Sequence, residues 1–226
     1  PTSVLCMVDA AVGGKNGVNA GLFKNQIGTI RQPEYLFFDF NFLNTLPDIE
    51  WVSGFAEIIK HACIRDSEMF QFLVNNDLED LRKDLNVMGE LVRKNVELKY
   101  QVAAGDETES GQRRLLNFGH TFGHAIEKIL SLPHGLAISI GIKFACQFSE
   151  KLSGFNADKT RQVLDLLQKY HLPVERSFDR DKAWDILLHD KKKSGDSLYF
   201  ILLEDIGKGV AQKLPLTEVK KLFYEL

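Results

Sequence analysis

The sequence lacks any apolar run of the roughly 20 residues that a membrane-spanning helix needs, and it does not open with a basic segment followed by an apolar one. We therefore expect neither a membrane protein nor a secretory leader. It also lacks an excess of one charge, because 28 basic residues stand against 31 acidic ones. Without a positive surplus there is no general attraction to nucleic acid or to an anionic membrane surface. We expect the partner to be a small molecule.

Cysteines and nucleotide-binding fingerprints are also scarce. The three cysteines, Cys6, Cys63 and Cys146, are odd in number and include no CxxC pair, which favours reduced thiols over a disulfide framework. We therefore expect a cytoplasmic protein in which the cysteines are buried fillers. The GxGxxG and GxxxxGKS/T spacings are missing, and VGGKNGVN at residues 12–19 is only superficially similar to a phosphate loop. No complete dinucleotide site is expected in this chain.

The first 46 residues have a mixed composition. They combine a short apolar segment at 4–8, a glycine and asparagine loop at 13–19, and the aromatic stretch EYLFFDF at 34–40, which favours a strand. This part is typical of an α/β fold. The whole chain of 226 residues, 44% of them apolar, is long enough for one large domain or one and a fraction.

From residue 47 onward the apolar residues follow helical spacing. Pro47 and Asp48 suit a first helical turn, and an apolar stripe follows at Ile49, Val52, Phe55, Ile58 and Ile59. Further helices are predicted around residues 67–75, 78–84, 86–104, 114–131, 136–153, 158–170, 180–189 and 217–225. A β-hairpin, LYFILL then GVAQKL, is predicted across Gly207 and Gly209. We predict a mostly α, multihelical domain over residues 47–226, preceded by a small α/β part over residues 1–46.

Histidines and one glutamate are candidate metal ligands. His120 and His124 are four residues apart, so they project from the same face of a helix. Glu57 lies in the first predicted helix, and His134 lies in a loop before a later one. A divalent catalytic metal commonly takes three imidazole or carboxylate ligands and leaves one position open. The same spacing is also typical of ordinary surface or core histidines, and His61 is a rival ligand, so this pattern leaves several interpretations open.

Two further features surround the histidine pair. Gly119 and Gly123 each precede a histidine, and since glycine costs roughly 1 kcal/mol against alanine in a helix, something is expected to approach closely there. Packing of another helix is the simplest explanation. The charged link at 106–114 ends in Arg113 and Arg114, which are placed to meet an anion beside the histidines, although such a link is ordinarily a solvent loop.

Taken together, the motifs resemble the 3-dehydroquinate synthase family. They are PTSVLCMVDAAVGGKNGVN, GLFKNQIG, GFAEIIKH, DETESGQRRLLNFGHTFGHAIE, HG and DKKKSGD, and they occur in the family's order from residue 1 to about residue 208. The resemblance implies a carbon–oxygen lyase (EC 4.2.3.4) of the shikimate pathway, which supplies aromatic amino acids. Its reaction converts 3-deoxy-D-arabino-heptulosonate 7-phosphate to 3-dehydroquinate and phosphate by NAD-dependent oxidation, phosphate elimination, re-reduction and aldol cyclisation.

The resemblance also implies roles for individual residues. It implies that Glu57, His120 and His134 bind the metal, zinc or cobalt. It implies that His124 contacts the substrate on its phosphate side. The other implied substrate contacts and catalytic residues are Lys60, Lys99, Glu109, Arg113, Asn117 and Lys191. The positions implied to meet NAD are Asp9, Lys15, Lys24, Asn25, Phe42, Leu43, Asn44 and Thr45.

The sequence departs from the family pattern at several points. Leu136 stands where relatives commonly have a glutamate near the third ligand, so we expect weaker metal binding. His61 stands where relatives usually have a tyrosine. The glycine-rich nucleotide-binding half that the family carries upstream is missing here, so residues 1–46 are expected to be a remnant of it, and we expect no turnover by this chain alone. By resemblance we expect a homodimer.

Two alternatives remain. One is a related sugar phosphate cyclase or a metal-dependent polyol dehydrogenase, but a plain polyol would not need the basic residues Lys60 and Arg113 together with His124. The other is a helical binding or assembly module without enzymatic activity, in which the histidines would be structural.

Overall fold

The computed structural model describes residues 1–20, 23–106, 111–191 and 195–226. Within these ranges it gives the backbone alone for residues 19, 20, 23–26, 190 and 191. Glu109 therefore lies outside the described residues, and the side chains of Lys24, Asn25 and Lys191 do as well. No helix in the described part of the chain is both long and apolar enough to cross a membrane.

Helices make up most of the described fold. They are α1 (Asp48–Arg65), α2 (Ser67–Asn75), α3 (Leu78–Lys83), α4 (Leu85–Ala104), α5 (His120–Leu130), α6 (His134–Leu152), α7 (Ala157–Lys169), α8 (Arg180–Lys191) and α9 (Leu216–Glu225). Side-chain caps separate consecutive helices, because Asp66 accepts from the backbone N–H of Met69 and Asp84 accepts from that of Val87. The predicted mostly α architecture is confirmed.

The helix predicted over residues 114–131 is shorter than expected. Residues Gln112–Asn117 form a 3-10 helix, and α5 starts only at His120. Between them Gly119 has a φ of 78°, a left-handed conformation that glycine adopts without steric cost. The chain turns at this glycine, so the two histidines lie in the first two turns of a new helix.

Two antiparallel hairpins accompany the helices. Strand β3 (Ser197–Asp205) pairs with β4 (Lys208–Pro215), with Gly207 in the turn at a φ of 82°, as predicted. Strand β1 (Lys15–Ala20) pairs with β2 (Phe23–Ile30), and Lys15 lies opposite Ile30. The prediction of a loop at residues 13–19 was therefore wrong for most of that stretch, because its glycine and asparagine content masked a strand.

The strand predicted for residues 34–40 was also wrong. These residues lie in neither described sheet, and a 3-10 helix, Phe40–Thr45, follows them. Tyr35 is 72% exposed and Phe37 is 78% exposed. A strand needs a neighbour to satisfy its backbone groups, and no described strand pairs with this segment. The apolar segment at 4–8 runs into a π-helical turn, Cys6–Ala10.

Helices α1 and α6 form the centre of the core. Every residue of α1 from position 51 to 64 is buried, and α6 packs against α1, α5, α7 and β3. On the far side of α6 an aromatic cluster gathers around Phe122, whose ring stacks on Phe223 with centroids 4.4 Å apart. Cys63 and Cys146 are buried, as expected, whereas Cys6 is partly exposed. This packing brings one face of α1 against the starts of α5 and α6.

Glycines allow α5 and α6 to touch. A Cβ built on Gly141 of α6 would lie 1.9 Å from the backbone oxygen of Gly119, and one built on Gly123 would lie 2.7 Å from the Cδ1 atom of Ile138. The close packing of α6 against α5 therefore explains the glycines beside the histidines, which is the simplest of the explanations expected from the sequence.

We predict that Gly141→Ala destabilises the fold by about 2–3 kcal/mol, because a methyl group there must push the two helices apart. Gly105→Ala is the matched control, since a Cβ at that exposed position meets no described atom within 4 Å. It should change stability by less than about 0.5 kcal/mol. Urea unfolding followed by circular dichroism measures both, and equal effects of the two substitutions would contradict the close contact.

Candidate functional site

Three elements bring Glu57, His120 and His134 together. Glu57 lies mid-way along α1 and is completely buried, while His120 and His134 are the first residues of α5 and α6. The Oε1 atom of Glu57 lies 3.5 Å from the Nε2 atom of His120 and also 3.5 Å from the Nε2 atom of His134. The structure therefore assembles the three residues that the resemblance implied as metal ligands.

The start of α6 is fixed directly on α1. The backbone N–H of Gly135 donates to the Ser53 hydroxyl at 3.0 Å, and a Cβ on Gly135 would lie only 2.0 Å from the backbone oxygen of Ser53. Since Ser53 lies one turn before Glu57 on the same helix, this contact sets the distance between the carboxylate and His134. Glycine is needed after the histidine because the two backbones meet there.

Each histidine is oriented through its other ring nitrogen. The Nδ1 atom of His120 lies 3.1 Å from the backbone oxygen of Phe118, and the Nδ1 atom of His134 lies 3.1 Å from the Oε2 atom of Glu127. Both partners only accept hydrogen bonds, so both histidines donate from Nδ1. This leaves the two Nε2 atoms facing Glu57, the arrangement that orients metal-binding histidines in other proteins.

The distances fit a divalent cation. Ligand atoms about 2.0–2.2 Å from a tetrahedral metal lie roughly 3.3–3.6 Å from one another, and the two Nε2 to Oε1 distances of 3.5 Å fall in that range. Two imidazoles and one carboxylate suit zinc or cobalt and leave a fourth position for another ligand. The candidate centre, defined as Glu57, His120 and His134, can therefore hold such an ion with little rearrangement.

The pKa values of the three residues in the candidate centre are shifted in different directions. Burial opposes the charge of Glu57, but the ammonium group of Lys60, which contacts its Oε2 atom, and the two histidines outweigh it and hold its pKa well below the usual value. Burial and Lys60 lower the pKa of His120 to about 3. Burial also opposes the charge of His134, but hydrogen bonds to Glu127 and Glu57 outweigh it and raise the pKa to about 9. His134 is thus the ligand that carries a competing proton near neutral pH.

His124 lies beside the centre rather than inside it. Its ring centroid is 5.1 Å from that of His120 and 6.0 Å from that of His134. Ligand atoms of His124, Glu127 and His134 lie within 4.8 Å of one another, which makes them an alternative group of ligands. Glu127, however, contacts the Nδ1 atom of His134, on the side of the ring away from Glu57. The two histidines of α5 therefore face different surroundings.

Two buried basic residues contact the segment 9–13. The Lys99 ammonium group contacts the backbone oxygen of Asp9 and lies 2.7 Å from its Oδ1 atom, while a guanidinium nitrogen of Arg113 lies 2.6 Å from the backbone oxygen of Gly13. Lys99 and Arg113 are both buried, so these contacts attach residues 9–13 to α4 and the 3-10 helix. Arg114, by contrast, stacks on Tyr199 of β3 with its guanidinium carbon 3.7 Å from the ring centroid.

A third group of possible ligands contains the rival histidine. Asp9, Glu57 and His61 have ligand atoms within 4.8 Å of one another. Burial and the Lys60 ammonium lower the pKa of His61 to about 4. Lys60 contacts Glu57, which both groups share, but in this group the Lys99 ammonium also pairs with Asp9 and would repel a second cation. The candidate centre is the better cation site.

The residues implied to meet NAD are spread over residues 9–45. Leu43 is 1% exposed and its side chain packs in the core, whereas Phe42 is 54% exposed. Asn44 and Thr45 are exposed at the end of the 3-10 helix, and Lys15 is exposed at the start of β1. Asn117 ends the 3-10 helix before Gly119.

Two residues that orient histidines of the site were not predicted from the sequence. Glu127 supplies a carboxylate to His134, the function that we expected to be lost where Leu136 stands. The sequence did indicate Glu127, because this residue follows His124 by three positions and therefore lies on the same face of the helix. Asn95 of α4, which contacts His61, carried no recognisable motif.

Two described families match this chain. The family described as 3-dehydroquinate synthase C-terminal matches residues 54–193, and the family described as 3-dehydroquinate synthase N-terminal matches residues 1–53. A 3-dehydroquinate synthase of Campylobacter concisus (strain 13826) is 40% identical over 98% of this chain and 63% of its own length. One from Leptospira interrogans serovar copenhageni is 38% identical over 93% of this chain and 59% of its own length. The chain thus spans about 60% of these relatives.

Solved structures share the fold. A 2-epi-5-epi-valiolone synthase from Streptomyces hygroscopicus subsp. jinggangensis 5008, solved with NAD+ and Zn2+ bound, has a TM-score of 0.88 at 27% identity, covering 100% of this chain and 64% of its own. A 2-deoxy-scyllo-inosose synthase has a TM-score of 0.82 at 24% identity, covering 100% of this chain and 65% of its own, and supports the fold alone. With a family match over residues 54–193 and a relative that is 40% identical over 98% of the chain, this chain belongs to the 3-dehydroquinate synthase family.

Proposed function

We propose that this chain is the metal- and substrate-binding part of a 3-dehydroquinate synthase, which converts 3-deoxy-D-arabino-heptulosonate 7-phosphate to 3-dehydroquinate and phosphate in the shikimate pathway. The observation that carries the proposal is the candidate centre lying against buried basic side chains. Relatives at 38–40% identity with that name support the substrate. We also propose the division at residue 46 and a homodimer, both from the family resemblance.

The cofactors we propose are NAD and a divalent metal, zinc or cobalt. The valiolone synthase that shares this fold binds NAD+ and Zn2+. A bound metal would lower the pKa of a substrate hydroxyl. NAD would take up a hydride from the substrate and later return it. Glu57, His120 and His134 would hold the metal, and residues 9–45 would meet the nicotinamide side of NAD.

The chain's own side chains bind and orient the substrate. Lys60, Lys99 and Arg113 are buried cations, which cost less to bury when an anion is present. A phosphate group satisfies several of them at once through charge-assisted hydrogen bonds and is held in a fixed position for elimination. His124, beside the centre, is placed to contact the same phosphate. A plain polyol carries no anionic group for these cations to contact, which argues against the dehydrogenase alternative.

The direct test is an assay of the protein that contains this sequence, supplied with NAD and zinc. It should release phosphate from 3-deoxy-D-arabino-heptulosonate 7-phosphate and form 3-dehydroquinate. Glu57→Gln should lower kcat by about 100-fold or more, because the metal loses a charged ligand. Glu50→Gln, two turns earlier on the same helix, is the control and should have little effect.

The alternatives give different outcomes in this assay. Turnover of a different sugar phosphate, without dehydroquinate formation, would indicate a related cyclase. Net NADH formation from glycerol would indicate a polyol dehydrogenase. Failure to bind zinc or to turn over any of these compounds would support a binding or assembly module.

We predict that zinc affinity rises about tenfold per pH unit up to about pH 9. The pKa of His134 is raised to about 9, so below that pH zinc must displace one proton from its ring, and above it the proton is already lost. His120, with a pKa of about 3, does not contribute above about pH 4. Competition titration with a zinc chelator between pH 6.5 and 9.5 measures the slope.

Glu127→Gln provides the matched variant for this measurement. It removes the hydrogen-bonded charge that raises the pKa of His134, so the affinity should level off at a lower pH. A zinc affinity independent of pH between 6.5 and 8.5 in the unsubstituted chain would contradict the proposed His134 ligand.

A further inference from the structure

His61 is completely buried on α1, and its hydrogen-bonding pattern is fixed by Asn95. The Nδ1 atom of His61 lies 3.0 Å from the Oδ1 atom of Asn95. The amide nitrogen of Asn95 donates to the backbone oxygen of Leu91 at 2.7 Å and contacts the Met69 sulfur at 3.3 Å. These two contacts settle which amide atom is the oxygen, so His61 donates from Nδ1. Its Nε2 atom therefore carries a lone pair.

That lone pair is unsatisfied. The Nε2 atom of His61 is buried, and no donor among the described residues reaches it within hydrogen-bond distance. A buried acceptor without a partner is destabilising, and native proteins rarely keep one without a function. The neutral ring of this chain thus presents a free acceptor inside the site.

Charged groups of the site surround the acceptor. Asp9, Glu57, Lys60 and Lys99 all act on His61 electrostatically, and ligand atoms of Asp9 and Glu57 lie within 4.8 Å of a His61 ring nitrogen. Lys99 is already paired with Asp9. The Lys60 ammonium group contacts only Glu57 among the described residues. Lys60 and His61 follow Glu57 by three and four residues, so each of the two side chains neighbours that of Glu57 on α1.

A metal ion in the candidate centre would compete with Lys60 for the carboxylate of Glu57. The carboxylate of Glu57 cannot compensate a divalent cation and an ammonium group equally well, and two cations on one carboxylate repel each other. Lys60 then needs another acceptor, because an unpaired buried ammonium group is highly unfavourable. The free lone pair of His61 is a buried acceptor on the next residue of α1, and the charge of Lys60 acts on that ring.

We propose that His61 is a positioning residue for Lys60, and that its Nε2 atom accepts a hydrogen bond from the Lys60 ammonium group when a metal ion occupies the candidate centre. The inference rests on the proposed metal site. In this arrangement His61, held by Asn95, keeps Lys60 beside the metal and directed toward bound substrate. Zinc binding at Glu57 and the orientation of Lys60 are therefore coupled.

A double-mutant cycle on zinc affinity tests the coupling. His61→Phe keeps a ring but removes the acceptor, and it should weaken zinc binding about tenfold, the value of one hydrogen bond. Lys60→Met removes the ammonium group that needs the acceptor. In the Lys60→Met background, His61→Phe should have no further effect on zinc affinity. His61→Gln, which restores an acceptor oxygen, should recover part of the loss.

A purely structural His61 would behave differently, because its effect on zinc affinity would be the same with and without Lys60. Additive effects would therefore overturn the inference while leaving the metal site intact. A chain without substitutions that takes up no zinc would overturn both the metal site and the inference.

A second measurement does not depend on folding of the variants. In the unsubstituted chain labelled with 15N, zinc should shift the Nε2 resonance of His61 in the direction of a hydrogen-bonded acceptor, while Nδ1 stays protonated. A Nε2 resonance that zinc leaves unchanged would overturn the inference.

Discussion

The buried carboxylate of Glu57 is the constraint on which the site depends. A carboxylate with no exposure, in the middle of the most buried helix, is unfavourable unless positive charge or donors surround it. Lys60 contacts one of its oxygens, and the Nε2 atoms of His120 and His134 face the other. Lys60, His120 and His134 belong to α1, α5 and α6, so the packing of these helices has to bring the three side chains around one carboxylate.

The backbone contacts of glycine make this convergence possible. Gly119 lets the chain turn into α5 at His120, and Gly135 lets α6 begin directly against Ser53. Larger residues would move a histidine away from Glu57 by the width of a methyl group or more. His120 and His134 are the first residues of their helices, so the glycine contacts set the direction of their backbone. Phe118 and Glu127 set the direction of their rings. The glycines and the ring contacts therefore both determine how far the two Nε2 atoms lie from Glu57.

Much of the helical architecture could be predicted from local sequence. Apolar spacing predicts the helices because most of them bury one face, and capping residues such as Asp66 and Asp84 mark the starts of α2 and α4. The strand predicted at 34–40 was wrong because a strand depends on a partner that local composition does not specify. The three candidate metal ligands were predicted from motif resemblance, and the structure brings them together. Glu127 and Asn95 were missed since orientation of a histidine ring depends on contacts between helices.

The central claim is that adjacent histidines on one face of α5 have separate functions, with His120 in the metal centre and His124 beside it. Zinc content of purified His120→Ala and His124→Ala variants, measured by atomic emission after dialysis against the same zinc buffer, tests it most directly. The account predicts that His124→Ala keeps close to one zinc per chain and that His120→Ala loses it, because the Nε2 atom of His120 faces Glu57 in the candidate centre. Equal zinc retention, or loss of zinc from His124→Ala alone, would contradict it.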